Sequence, residues 1–195
     1  MNTFQYITDK YKINVGNQYI VEIPDMGRNQ LAELFAELKF TKGVELGVDR
    51  GEFSEVICKA NPQAKVYGVD PWASFAYEAN TYVNEEQEYF DKCYQETVDR
   101  LSPYKNYTIV RKTLAEALKD FEDNSLDFVY IDANHDFPNF VFDLHYWLKK
   151  VKHGGIMSGH DYAYFSYSKF NHVKRALDDY ARCYRMIPMF IIGRM

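Results

Sequence analysis

The feature that most constrains this chain is the order in which two hydrophobic rhythms alternate along it. Short β-rich runs stand at Gly43–Leu46, Lys65–Val69, Tyr107–Arg111 and Leu126–Ile131, and a fifth begins at Ile156–Ser158. Between them lie stretches with helical period. Gln30–Lys39 carries Leu31, Leu34, Phe35 and Leu38 at i, i+3, i+4 and i+7. Phe53–Ala60 repeats the pattern and is stopped by Asn61–Pro62; Glu85–Leu101 places Phe90, Tyr94, Val98 and Leu101 on one face. Leu114–Phe121, Phe137–Val151 and Ser168–Arg182 are the remaining predicted helices. His153–Gly155 is predicted as a turn, and Tyr184–Arg194 as a shortened C-terminal region of one or two closing strands. Strands separated by helices pair in parallel through right-handed crossovers. The predicted fold is therefore α/β, a doubly wound, mostly parallel, Rossmann-like sheet with helices on both faces. LDFVYI at Leu126–Ile131 is apolar enough to be a central strand.

The 195 residues suit one domain, with 1–28 a lead-in or cap and 29–195 the core. A net charge of −5 and the lack of a basic stripe argue against nucleic acid as a partner. No apolar run approaches the ~18 residues that span a bilayer, so no membrane partner is expected. Met1–Lys10 lacks the layout of a signal peptide. Cys58, Cys93 and Cys183 are scattered, with no CxxC pair; that excludes a disulfide framework or zinc knuckle and predicts a reducing, cytoplasmic setting. The 17 Tyr and 14 Phe are a departure from ordinary usage, and they concentrate in three places. Tyr6–Ile23 is expected to fold over a cofactor or to mediate a homodimer, Pro71–Tyr89 to form a wall, and Asp161–Phe170 to form either a lid or an aromatic-packed loop.

In a doubly wound sheet, ligands bind beyond the carboxyl ends of the strands. The first predicted strand runs into Glu45-Leu46-Gly47-Val48-Asp49-Arg50-Gly51, a glycine-containing turn before a helix with free N–H groups. The second ends at Asp70, where an acid can accept both hydroxyls of a ribose, or can instead cap the next element. Pro71 and Trp72 follow, and the indole could pack on a purine. The nicotinamide fingerprint GxGxxG is absent, which counts against an oxidoreductase.

Glu45 to Gly51 resembles motif I (ExGxxxG) of class I S-adenosylmethionine-dependent methyltransferases, and Asp70 resembles the acid that ends their second strand. The run LDFVYIDANHDFPNFVFDLHYWLKKVKHGGIMSGHDY from Leu126 to Tyr162 is similar to the DFxYIDxxHxYxxVxxDLxxWxxxxxxGGxxxGHDY pattern of the small methyltransferases called family 24. The resemblance implies that Glu45, Gly47, Val48, Asp49 and Gly51 carry the methionine moiety and Asp70 the ribose. It places Pro71, Trp72, Thr113 and Leu114 around the adenine, and Asp132 against the sulfonium and the acceptor. Leu114 stands where many relatives have Ser or Asp, so that side-chain hydrogen bond to adenine is missing here.

The predicted chemistry lies in two loops. Asp132, His135 and Asp136 follow the fourth strand; His160 and Asp161 follow the fifth. Two mechanisms fit. His160 or His135 serves as general base toward an acceptor hydroxyl, or Asp132, His160 and Asp161 hold a divalent cation, Mg²⁺ or Mn²⁺, that acidifies the acceptor. The second idea comes from the resemblance, since related O-methyltransferases of sugars and catechols bind magnesium through these loops. A structural role for single residues stays open, and His145, His153 and His172 are assigned no chemistry. Asp143, Lys149 and Lys150 are expected on a solvated face. The expected function is methyl transfer to a small hydroxylated acceptor such as a sugar or metabolite. The alternatives are a non-catalytic binding or assembly domain, suggested by the dozen or so residues after Arg182, and a nicotinamide-dependent oxidoreductase.

Overall fold

A computed structural model of the chain describes residues 2–16, 20–23, 26–74, 86–164, 171–184 and 189–192. Its strands in chain order are β1 (Ile20–Ile23), β2 (Lys42–Leu46), β3 (Lys65–Val69), β4 (Tyr107–Val110), β5 (Leu126–Ile131), β6 (Val151–Gly159) and β7 (Met189–Ile192). The helices are α1 (Thr3–Lys10), α2 (Arg28–Glu37), α3 (Glu52–Ala60), α4 (Gln87–Leu101), α5 (Leu114–Ala117), α6 (Phe137–Leu148) and α7 (Val173–Tyr184). A 3-10 turn, Leu118–Asp120, extends α5.

Five strands form one parallel sheet in the order β4-β3-β2-β5-β6. The chain winds outward from β2 through β3 to β4, then returns to β5 and winds the other way. The topological switch therefore lies between β2 and β5, at the centre of the sheet. β2 and β5 are the most buried strands, as their place at the centre of the sheet requires when helices cover both faces. On one face Val44, Leu46, Val129 and Ile131 pack against Phe140, Leu144 and Trp147 of α6 and Ala176 of α7. On the other, Phe128 and Tyr130 pack against Leu31 and Phe35 of α2 and Phe53 and Ile57 of α3. The Phe35 and Phe128 rings stack with centroids 4.1 Å apart. Burying such side chains is worth roughly 1.5–3 kcal/mol each, so these two layers fix the sheet between its helices.

Two predicted elements differ. His153–Gly155 is not a turn before the last sheet strand but lies inside β6, which begins at Val151. The register of β5 against β6 slips between Leu126 and Phe128, and the residues around Gly154, at φ +83°, form the bulge that absorbs the extra chain. The expected irregular start holds a helix and a strand. Helix α1 does not fold over the cofactor side: the Thr3 hydroxyl donates to Gly154 O (2.5 Å), and Tyr6 donates to Glu37, which also pairs with Lys10. The first contact ties α1 to β6, and the second ties it to the end of α2. Strand β1 pairs in parallel with β7, Ile20 opposite Met189 through Ile23 opposite Ile192, as a separate two-stranded sheet. A strand is thus present in the expected C-terminal region, but it pairs with β1 and does not close the five-stranded sheet. The expected wall at 75–85, the tip of the aromatic segment at 165–170 and the flanks 185–188 and 193–195 of β7 lie outside the described residues. Among the described residues no helix is long and apolar enough to cross a membrane.

Candidate active site

At the carboxyl end of β2, three left-handed residues within five reverse the chain: Gly47 (φ +82°), Asp49 (φ +50°) and Gly51 (φ +73°). Gly47 cannot be replaced without cost, because a Cβ there would stand 2.2 Å from Asp132 O. That close approach presses the glycine loop against the end of β5, whose Asp132 amide donates to Leu46 O (2.8 Å). Gly51 then opens α3, whose first turn carries Glu52 and Glu55 toward the positive end of the helix dipole.

Asp70 organises this loop. Its Oδ2 accepts from the amides of Val48 (2.8 Å) and Asp49 (3.2 Å), and its Oδ1 accepts from the amide of Trp72 (2.7 Å). Burial pushes its carboxyl above the usual range, against the pull of those three amides. A carboxylate offers about four acceptor sites, so capacity remains for a ligand hydroxyl. Helix α4 holds the loop from the other side: Thr97 donates to Asp49 O (2.8 Å) and Arg100 Nε to Arg50 O (3.0 Å). Trp72 is placed otherwise than its predicted role requires. Its indole is 1% exposed, packs with Val48 and Cys93, and donates through Nε1 to Asp49 O (2.7 Å). It braces the loop from beneath and offers no free ring face. Pro71 O accepts from Arg111 Nε (3.5 Å). Thr113 caps α5 in a reciprocal bond pair with Glu116, and Leu114 packs half-buried on the core beside them.

Beneath the cradle lies a buried polar file that the motif only hinted at. Glu45 is 2% exposed. Its carboxyl accepts from Ser54 Oγ, which also hydrogen-bonds Tyr107 Oη (2.8 Å). The Tyr107 hydroxyl reaches Ser54 by crossing Gly68, where a Cβ would meet it at 1.7 Å. Burial pushes Glu45 up to about 8, with Asp132 and Asp70 acting in the same direction and Ser54 and Arg28 against it. Glu45 is opposite Tyr130 in the β2–β5 register, and the Tyr130 hydroxyl is buried with no hydrogen-bond partner.

The two predicted reaction loops do meet. His160 Nδ1 lies 2.8 Å from Asp161 Oδ1 and 3.6 Å from Asp132 Oδ1. His135 Nδ1 lies 3.2 Å from Asp161 Oδ2, and its Nε2 lies 3.5 Å from Asp132 Oδ1. One carboxylate, Asp161, thus serves both imidazoles, which flank Asp132. Hydrogen bonding to Asp161 raises the His160 pKa above the ordinary imidazole value, partly offset by burial, and the His160 charge in turn lowers Asp161. Arg28 at the start of α2 approaches Asp132 Oδ2 (3.9 Å) and lies over the Phe53 ring (5.6 Å). Nothing local in the sequence marks Arg28; only the packing of α2 on α3 brings it there.

Three expectations are corrected here. Asp136 does not join the cluster but caps α6, accepting from Asn139 N (2.9 Å) and Asn139 Nδ2 (2.7 Å). Asp143 is not on a solvated face: it is 5% exposed, and burial with Asp136 nearby pushes it up to about 7. The metal set of Asp132, His160 and Asp161 is not formed, because no group of three or more His, Cys, Asp or Glu among the described residues could hold a metal ion. The Nδ1 atoms of both histidines are spent on Asp161, so the donors pair with one another instead of converging on a point.

The sequence profile of a methyltransferase-domain family matches residues 44–162, the stretch that builds both the cradle and the cluster. The chain belongs to this family of methyltransferase domains. An uncharacterised protein, y4gI, of Sinorhizobium fredii is 24% identical over 123 residues, covering 60% of this chain; the chain spans only 13% of that relative's length. The fold is similar to that of an O-methyltransferase from Bacillus cereus in complex with SAH (TM-score 0.56, 12% identity, 95% of this chain and 80% of that one). It is also similar to TomG, an O-methyltransferase of tomaymycin synthesis from Streptomyces achromogenes in complex with SAM (TM-score 0.57, 15% identity, 82% and 72%).

Proposed function

We propose that this methyltransferase uses S-adenosylmethionine to methylate a hydroxyl oxygen of a small acceptor such as a sugar or metabolite. The observation that carries this reading is the abutment of Gly47 on Asp132, which sets the cradle directly against the two-histidine cluster. The residues fit the cofactor: Asp70 retains acceptor capacity for a ribose hydroxyl, and the buried Glu45 and the unpartnered Tyr130 hydroxyl lie beneath the glycine loop. When bound, S-adenosylmethionine supplies a methyl group made electrophilic by its sulfonium.

His160 acts as general base, with Asp161 orienting its Nδ1–H and leaving Nε2 toward an acceptor. The proton of the acceptor hydroxyl would pass to His160, and Asp161 would stabilise the resulting imidazolium charge. His135 and Asp132 complete the wall that places the acceptor in line, and placement supplies several kcal/mol of the barrier. The oxygen preference is supported by the two O-methyltransferases whose folds are similar and by the His160 imidazole, a base able to take a hydroxyl proton.

The test is calorimetric titration with S-adenosylmethionine and S-adenosylhomocysteine, followed by methyl transfer from labelled cofactor to catechol and monosaccharide panels. Micromolar binding that Asp70→Ala abolishes, with transfer that Asp132→Asn abolishes, supports the reading. Folded protein that binds neither compound would favour a non-catalytic domain instead.

A further inference from the structure

The two residues before α7 tie the imidazole cluster together from outside it. Asn171 Nδ2 donates to Asp161 Oδ2 (2.8 Å), while its Oδ1 accepts from Val173 N (3.3 Å). The His172 amide donates to His135 O (2.8 Å), and His172 Nδ1 accepts from Phe137 N (3.2 Å). Residues from two separate loops, one after β5 and one after β6, are thus fastened to a single short stretch of chain. We propose that Asn171 and His172 are positioning residues that set His135 and Asp161 in register across the two loops. The inference rests on the general-base reading above.

Neither loop is held by regular structure alone. Asp161 sits at φ +61°, a region costly for a residue with a Cβ, so outside contacts must hold it. Asn171 does so at the carboxylate itself. Further along α7, Lys174 and Asp178 secure the next residue: Tyr162 donates to Asp178 (2.6 Å), and Lys174 donates to both Tyr162 Oη (2.9 Å) and Asp178 (2.8 Å). On the other loop, Phe137 N is one of the free amides at the start of α6. Asp136 supplies one cap there through Asn139 N, and His172 Nδ1 supplies a second. To accept, His172 Nδ1 must be unprotonated, which places any ring proton on Nε2. The His172 backbone then grips His135 two residues earlier, so ring and amide clamp the loop on either side of Asp136.

The roles differ by atom, and substitutions separate them. His172→Asn puts a carbonyl oxygen near the position of Nδ1, whereas His172→Gln puts one near Nε2 and His172→Ala supplies none. In the full chain, three quantities would be measured: the exchange rate of the Phe137 amide, the nitrogen-15 signals of the His135 and His160 imidazoles, and S-adenosylhomocysteine affinity. Thermal melting would report folding. The expected result is that His172→Asn keeps Phe137 exchange and the His135 signals near wild type. His172→Gln and His172→Ala would speed Phe137 exchange by roughly five- to tenfold, the opening expected on loss of one hydrogen bond, and shift the His135 signals. Asn171→Ala would move the signals of both imidazoles through Asp161. The inference is overturned if His172→Asn behaves like His172→Ala, or if His172→Ala and Asn171→Ala leave the imidazole signals unchanged. Failure of every form, wild type included, to bind S-adenosylhomocysteine would instead refute the function, and the exchange and imidazole data would still judge the clamp.

Discussion

Glu45→Gln should make the protein more stable at pH 8 and leave it little changed at pH 4.5. The carboxyl lies inside the sheet layer, 2% exposed, with Ser54 as its hydrogen-bond partner. Arg28 acts to lower its pKa, but burial and the charges of Asp132 and Asp70 outweigh that, and the group is pushed up to about 8 from an ordinary 4.5. In the unfolded chain Glu45 loses its proton near 4.5; in the fold it keeps that proton to about 8. The folded state therefore binds more protons than the unfolded state across this window, and stability falls as pH rises through it. Each tenfold ratio is worth ~1.4 kcal/mol, so the whole window amounts to about 4–5 kcal/mol. That is a large share of the ~5–15 kcal/mol typical of a domain. Glutamine keeps the shape and the acceptor for Ser54 but has no charge to desolvate. Urea denaturation of both forms at pH 4.5 and pH 8 gives the difference directly, with all other titrating groups cancelling. A gain of several kcal/mol at pH 8 and near none at pH 4.5 is expected. Parallel pH profiles for the two proteins would refute the buried neutral acid.

Asp143→Asn should flatten the remaining pH dependence by the same logic, since burial pushes Asp143 up to about 7 from 3.8; stability gained between those values is read by denaturation at pH 4 and pH 7.5. Gly47→Ala forces a Cβ to 2.2 Å from Asp132 O at φ +82°, and should cost roughly 3 kcal/mol or more with loss of S-adenosylhomocysteine binding, read by melting and calorimetry. His160→Gln should lower turnover by about 10²–10⁴-fold with cofactor affinity retained. Because Asp161 raises the His160 pKa, the base becomes available only as pH climbs past the ordinary imidazole value of 6.5. The acidic limb of the wild-type rate profile should therefore lie above 6.5, and Asp161→Asn should move it down.

The parts of this molecule that the sequence made legible are those specified locally. The runs of β2, β3 and β5 are short, apolar and bounded by turn residues, so their limits in the fold differ from the predicted ones by a residue at most. Glu45, Gly47, Gly51 and Asp70 stand at strand ends, where the fold itself directs attention. What stayed hidden depends on packing. Strand β6 carries Gly154 and Gly155 where a turn is the local preference, and pairing with β5 on either side, at Val151 and from Ile156 onward, makes that segment a bulge within one strand. Helix α6 presents two apolar faces, and nothing local says that Asp143 goes inward with Phe140, Leu144 and Trp147 while Phe142 and Tyr146 remain 38% and 40% exposed. Trp72 reads as a ring for a purine until its left-handed backbone (φ +42°) turns the indole under the loop. Arg28 reaches the site from far along the chain, and Asn171 and His172 lie past the Tyr162 end of the motif, so the motif included none of them.

The same geometry explains why cradle and cluster should be sensitive to each other. Gly47 and Asp132 are the first residues beyond β2 and β5, the two strands that flank the topological switch, and their backbones are in contact there. Asp70 ties the amides after Gly47, and the Asp132 carboxyl faces both imidazoles. A shift in the glycine loop therefore has little free space to move into before it displaces Asp132, and Asp132 in turn stands within 3.6 Å of His160. Changes confined to the cofactor side, such as Asp70→Asn, should for that reason alter the imidazole signals as well as cofactor affinity. Affinity lost with the His135 and His160 signals unmoved would mean that the two halves act independently.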